Sequence, residues 1–191
     1  METLKNSKKI VNHIHIPLQS GSDTILKAMN RRYLMDEFYE RINMIRSIRP
    51  NIAITTDVIV GFPGETDEYF EETVDSIMKI GFTELHVFPY SPRVGTKAAE
   101  MENQVDGNTK KERVRKLISI SELLKNKYYS NLVGTTEELL VEKYEDGYLV
   151  GHLTNYGLCK VKSDKEILNE IFKVKLISYQ NDYYVGEIIK K

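Results

Sequence analysis

A chain of 191 residues, 41% hydrophobic and 29% charged, is composed like a soluble globular protein and is long enough for one large domain or two small ones. Its net charge of -1 excludes an overall basic signature of nucleic-acid binding, and its apolar runs fall far short of the ~20 residues that cross a membrane. A lone cysteine, Cys159, excludes an internal disulfide and any multi-cysteine metal or cluster site made by this chain alone; the opening METLKNSKKIVNH is too polar for a secretory signal, so the expected location is cytoplasmic.

In chain order, HIHIPLQ (residues 13–19) alternates and then runs apolar, which predicts a short strand whose Pro17 marks a sheet margin. Ser20 or Ser22 then caps a helix with Ile25, Leu26 and Met29 at helical spacing. Phe38, Ile42, Ile45 and Ile48 predict a second helix, closed by Pro50. IAITTDVIV (52–60) is apolar on both faces, as strands of covered parallel sheets are. The helix of residues 66–81 carries acids in its first turn and Gly81 at its C-terminal end. ELHVFPY (84–90) is a third strand, residues 91–108 have linker composition, and residues 109–129 form a long helix. This alternation argues for an α/β fold with parallel strands and crossover helices. From Gly134 the pattern changes to five short strands split by Asp146-Gly147, Asn155-Tyr156-Gly157 and Asn181-Asp182. Such spacing suggests a small antiparallel, OB-like β-barrel, with domains at 1–130 and 131–191.

Chemistry concentrates at the strand ends. TTDVIVGFPGETDEYF turns from strand to helix through Gly61, Pro63 and Gly64, with Glu65 available to accept from an amine or hydroxyl. Either the turn simply needs positive φ, or a ligand approaches the backbone there. No Gly-Lys-Ser/Thr follows, so it is not a phosphate-binding P-loop. Gln19 in PLQSGS and Phe88, Tyr90 and Arg93 in HVFPYSPR mark the neighbouring strand ends, and together the three junctions suggest a flat heterocyclic ligand. His13 and His15 share a strand face, but with no further His or Cys nearby they are read as ordinary packed or rim histidines, with no metal expected. Cys159 is read as a small buried hydrophobe. Between residues 108 and 127, seven Lys/Arg face Glu112 and Glu122, a net of +5, whereas residues 131–191 carry a net of -2. The basic helix is either a solvated face or a phosphate-backbone contact.

The segments HIHIPLQSGSDTILKAMNRRY, TTDVIVGFPGETDEYFEETV and LHVFPYSPRVGTKAA resemble the later half of the radical-SAM methylthiotransferases that modify tRNA. The resemblance is closest to the branch acting on N6-threonylcarbamoyladenosine, and the tail from about Tyr129 resembles the RNA-binding TRAM domain. It implies the second half of a radical-SAM partial (β/α) barrel, an S-adenosylmethionine site bordered by Gln19, Ser20, Val60, Gly61, Glu65 and Phe88, and Arg32 as a carboxylate partner. It implies no catalytic acid or base. The reaction would add a methylthio group to C2 of the modified adenosine at position 37, by chemistry belonging to S-adenosylmethionine and [4Fe-4S] clusters. In this family the CxxxCxxC cluster ligands, a further cluster-binding domain and the first barrel strands precede the matching segment. This chain by itself is therefore expected to be inactive, and its first strand to leave an unpaired edge prone to self-association. The implied macromolecular partner is tRNA, with no membrane; contact is placed along Lys110, Lys111, Arg113, Arg115 and Lys116, assisted by Lys160 and Lys162. Alternatives are sibling enzymes acting on isopentenyladenosine in tRNA or on a ribosomal protein, or a non-catalytic RNA-binding module.

Overall fold

The computed structural model describes residues 2–190. Two compact units emerge, one built mainly from Ile14–Lys125 and the other from residues 126–190 together with Asn6–His13. The elements leading through the first unit are α1 (Glu2–Asn6), β1 (His13–His15), α2 (Asp23–Ala28), α3 (Met35–Ile48), β2 (Ala53–Val60), α4 (Asp67–Ile80), β3 (Glu84–Pro89), α5 (Lys97–Glu100) and α6 (Gly107–Asn131), the last turns of α6 counting with the second unit.

The strands β1, β2 and β3 lie side by side in that order, and β2 and β3 run parallel with Asp57 opposite His86 and Val60 opposite Pro89. The first strand is shorter than the expected 13–19. Pro17 has no N–H to donate, so the ladder lapses after Ile16 N–H donates to Thr55 O (2.9 Å) and returns as a single parallel bridge between Gln19 and Val58. One sheet face is closed: Ile54, Thr56, Val58 and Val60 are fully buried and Leu85 nearly so, and α3 and α4 bury Phe38, Ile42, Ile45, Phe70, Val74, Ile77 and Ile80 in the same unit. The opposite face, carrying His15, Asp57, Ile59, His86 and Phe88, is half-buried or exposed. Helix α4 is bounded as its residues dictate: the Thr66 hydroxyl accepts from Tyr69 N–H, and Gly81 adopts the left-handed conformation at φ 66°. Residues 97–100 of the expected linker instead form a short helix, capped by Thr96.

The second unit is a closed barrel of β4 (Thr136–Glu145), β5 (Tyr148–Leu153), β6 (Leu158–Lys162), β7 (Ile171–Gln180) and β8 (Tyr183–Lys190), in the order β4-β5-β6-β8-β7. The expectation of an antiparallel barrel needs correcting, because β6 and β8 pair in parallel. Directions cannot alternate around a ring with an odd number of strands, so a closed five-stranded barrel must contain at least one parallel pair. Alternate side chains of each strand point inward, placing Leu139, Val141, Leu149, Val161, Phe172, Val174 and Leu176 around Tyr184. The buried Tyr184 hydroxyl donates to Tyr129 O at 2.6 Å, tying the end of α6 to this core. Hairpins close where the sequence supplies residues tolerant of positive φ, at Asp146-Gly147 and Asn181-Asp182. At Gly151 a Cβ would lie 1.8 Å from Leu140 O, beside the irregularity between Val141 and Lys143, so only glycine lets the two strands close there.

Candidate functional site

The parallel register brings Gln19, Val60 and Pro89 to one edge of the sheet. At its centre β2 turns into α4 through Gly61 (φ 72°) and Gly64 (φ 84°). Gly61 N–H donates to Glu65 Oε2 at 2.5 Å, and Arg113 Nη1 donates to the same oxygen at 2.7 Å and to Glu65 O at 3.1 Å. Arg113 Nη2 reaches Asp67 Oδ1 at 2.8 Å. The Glu65 side chain is 0% exposed and that of Arg113 7%, so this is a buried ion pair rather than a surface one. Burial pushes the Glu65 carboxyl above its usual range, against the opposing pull of the Gly61 N–H and the Arg113 guanidinium. Glu65 Oε1 is buried without a hydrogen-bond partner, as is the hydroxyl of Tyr90. Tyr90 packs edge-on against Phe62, with ring centroids 5.2 Å apart, and Lys110 Nζ lies 5.3 Å from its ring centre. Of the two readings of the Gly61 turn, the structure shows the positive φ. Its backbone is also closely approached, by the Lys110 stem: a Cβ on Gly61 would sit 2.4 Å from Lys110 Cγ.

The flanking junctions place the remaining residues. Gln19 (φ 67°) donates its N–H to Asp57 O and accepts from Ile59 N–H, while its Oε1 accepts from Arg31 Nη2 at 2.8 Å. Ser20 is fully buried, its hydroxyl turned inward to Thr73 Oγ1 (3.2 Å) and Ser22 N–H (3.2 Å). Arg32 is exposed, and the neighbouring Arg31 is the one that reaches Gln19. Phe88 is 50% exposed on the open sheet face. Along α6, Lys111 and Arg115 are exposed, and Lys116 Nζ pairs with Glu71 at 2.6 Å. Placing Arg113 on a nucleic-acid face is corrected by its burial between Glu65 and Asp67, where no phosphate reaches it. In the barrel, Lys160 Nζ lies 4.4 Å from the centre of the Tyr183 ring, in a hollow of about 300 Å³ that Tyr148 also lines, and Lys162 is exposed opposite Tyr148 in the ladder. Cys159 is fully buried, its thiol pushed up to about 12 by desolvation. One buried thiol does not fit an iron–sulfur cluster, whose irons take several thiolates.

A constellation absent from the sequence reading lies on the open face. His15 Nε2 stands 3.4 Å from Asp57 Oδ2, and His86 Nδ1 stands 3.2 Å from Asp57 Oδ1. His15 Nδ1 is also hydrogen-bonded to Thr55 Oγ1 at 2.9 Å, and the two imidazoles stack with centroids 5.6 Å apart. His13, two residues away, instead meets the ring of Tyr156. The expectation of no further histidine near His15 fails because the strand register, not chain proximity, supplies the neighbour.

Residues 1–77 match the Radical SAM superfamily. The chain is 45% identical to the threonylcarbamoyladenosine tRNA methylthiotransferase MtaB of Bacillus subtilis (strain 168), over 100% of this chain and 43% of the relative. It is 40% identical to the tRNA-2-methylthio-N(6)-dimethylallyladenosine synthase of Lachnoclostridium phytofermentans, over 100% of this chain and 42% of that protein. The chain thus spans less than half the length of these relatives. Among solved structures, the radical SAM enzyme coproporphyrinogen III oxidase (HemN) from Escherichia coli shares the fold, with a TM-score of 0.50 at 18% identity over 59% of this chain and 27% of that one. The chain is thus similar to the Radical SAM superfamily over residues 1–77 and to tRNA methylthiotransferases along its whole length.

Proposed function

We propose that this chain forms part of a tRNA-modifying methylthiotransferase that places a methylthio group on C2 of N6-threonylcarbamoyladenosine at position 37. The observation that carries this reading is the 45% identity to MtaB across every residue of the chain. Within the first unit, the three strand-end junctions border S-adenosylmethionine. Val60 and Phe88 supply apolar surface for its adenine, Gln19 the polar edge, and Arg32 a guanidinium for its carboxylate. Glu65 Oε1, buried and unpartnered, suits an ammonium or hydroxyl donor, and Arg113 keeps that carboxylate aimed. Ser20 holds the first junction against Thr73, and Gly61 keeps the second one narrow. S-adenosylmethionine, bound at a [4Fe-4S] cluster, supplies the radical chemistry, and the cluster is held by residues outside this chain.

The residues of this chain bind and orient; none is given a proton-transfer role. In the same reading residues 131–191 are a TRAM domain, with Lys160, Lys162 and the exposed tyrosines meeting RNA, and Lys110, Lys111, Arg115 and Lys116 add phosphate contacts from α6. Among the described residues no helix is long and apolar enough to cross a membrane. The test is mass spectrometry of tRNA nucleosides from a strain lacking the intact gene. Loss of 2-methylthio-N6-threonylcarbamoyladenosine is expected. Its persistence would reject the proposal, and loss of the dimethylallyl counterpart instead would reassign the substrate.

A further inference from the structure

We infer that His15, Asp57 and His86 form a three-ligand site for one first-row divalent metal ion on the open face of the β1-β2-β3 sheet. They come from three adjacent strands. Asp57 is directly opposite His86, and the Ile16 N–H bond to Thr55 O sets His15 on the other side of Asp57. Their ligand atoms all lie within 4.8 Å of one another, the one such grouping of three among the described residues.

The distances suit a bound ion. A charge-assisted hydrogen bond between imidazolium and carboxylate closes to about 2.7–2.9 Å. Here both nitrogens stand off, at 3.4 and 3.2 Å. Ligands about 2.0–2.1 Å from a tetrahedral zinc ion are separated from each other by about 3.3–3.4 Å. The gaps on both sides of Asp57 are therefore those of neighbouring corners of a coordination polyhedron, and each histidine meets a different carboxylate oxygen.

The surroundings point the same way. Thr55, itself nearly buried, holds His15 Nδ1 at 2.9 Å and so turns Nε2 toward Asp57, the outer-shell arrangement that orients metal-bound imidazoles. Glu84 precedes His86 by two residues on the same strand face and adds negative potential. The ligand side chains are 36%, 30% and 52% exposed, so an ion has a route in and keeps an open coordination position. Three protein ligands with an open position characterise ligand-binding and catalytic metal sites, whereas structural sites are closed by four. Two imidazoles and a carboxylate suit Zn²⁺, Co²⁺ or Fe²⁺. The vacant position faces the same side as Ile59 and Phe88, so the ion would take an oxygen or nitrogen donor of a molecule lying on that face.

The experiment uses the untagged 191-residue chain, stripped with chelator, titrated with Zn²⁺ by calorimetry and with Co²⁺ by visible absorption. One equivalent of each is expected to bind. H15A, D57N and H86A should each abolish the tight isotherm while circular dichroism stays native, since these side chains are part-exposed. T55V, which removes only the orienting hydroxyl, should weaken binding by about 10–100-fold. Absence of saturable binding, or isotherms in H15A and H86A matching the unsubstituted chain, would overturn the inference. Neither assay involves tRNA or S-adenosylmethionine, so either result leaves the proposed reaction to be judged separately.

Discussion

Arg113→Met would strip the buried Glu65 carboxylate of its cation while keeping a long apolar stem in place. With the Glu65 side chain at 0% and the Arg113 side chain at 7% exposure, the broken pair leaves a charge with little water to replace its partner. Removing one member of such a pair costs about 3–5 kcal/mol. For a unit of this size, at roughly 3–5 °C per kcal/mol, the melting transition of the first unit should fall by about 9–25 °C. Scanning calorimetry reads this directly. The double change E65Q/R113M leaves no buried charge and should recover more than half of the loss. The pH dependence follows from the raised pKa of Glu65. Above its ordinary value of 4.5 the folded chain still holds a proton that the unfolded chain has released, so this group's contribution to stability declines as pH rises through the shifted value. R113M should extend that decline to higher pH, and E65Q should abolish it. A drop of less than about 3 °C for R113M, or a double variant no better than the single, would refute the assignment of Arg113 as a buried structural cation.

Three further outcomes are expected. G61A should destabilise more than G64A in urea melts: both glycines have positive φ, which costs a residue bearing a Cβ about 1–2 kcal/mol, but only Gly61 has Lys110 within reach of the new methyl. Equal losses would show that the Lys110 stem yields freely. In tRNA binding, K111Q and R115Q should each lower the salt slope by about 1, with no change in fold; an unchanged slope would move the RNA contact off α6. The Cys159 thiol, pushed up to about 12 and fully buried, should resist thiol reagents in the native chain and react only as the barrel opens, at a rate that rises with denaturant. Fast labelling without denaturant would contradict its burial.

Local backbone preferences made most of the elements legible before any coordinates. The Gly81 end of α4, the strand bounded by Gly61, and the barrel hairpins at Asp146-Gly147 and Asn181-Asp182 depend on a few neighbouring residues, and the chain writes them out in order. The motifs of the strand-end junctions were legible for the same reason. Even the parallel pair in the barrel follows from counting strands, once closure is granted. What a linear reading could not supply is which charges meet. Arg113 sits in a run of basic residues that looks solvated, yet its partner Glu65 lies 48 residues away and is reached only when α6 docks. His15, Asp57 and His86 have no local pattern at all; a parallel register between strands separated by whole helices brings them within reach. Backbone conformation is decided over a few residues, whereas the burial and pairing of a charge depend on packing between elements distant in the chain.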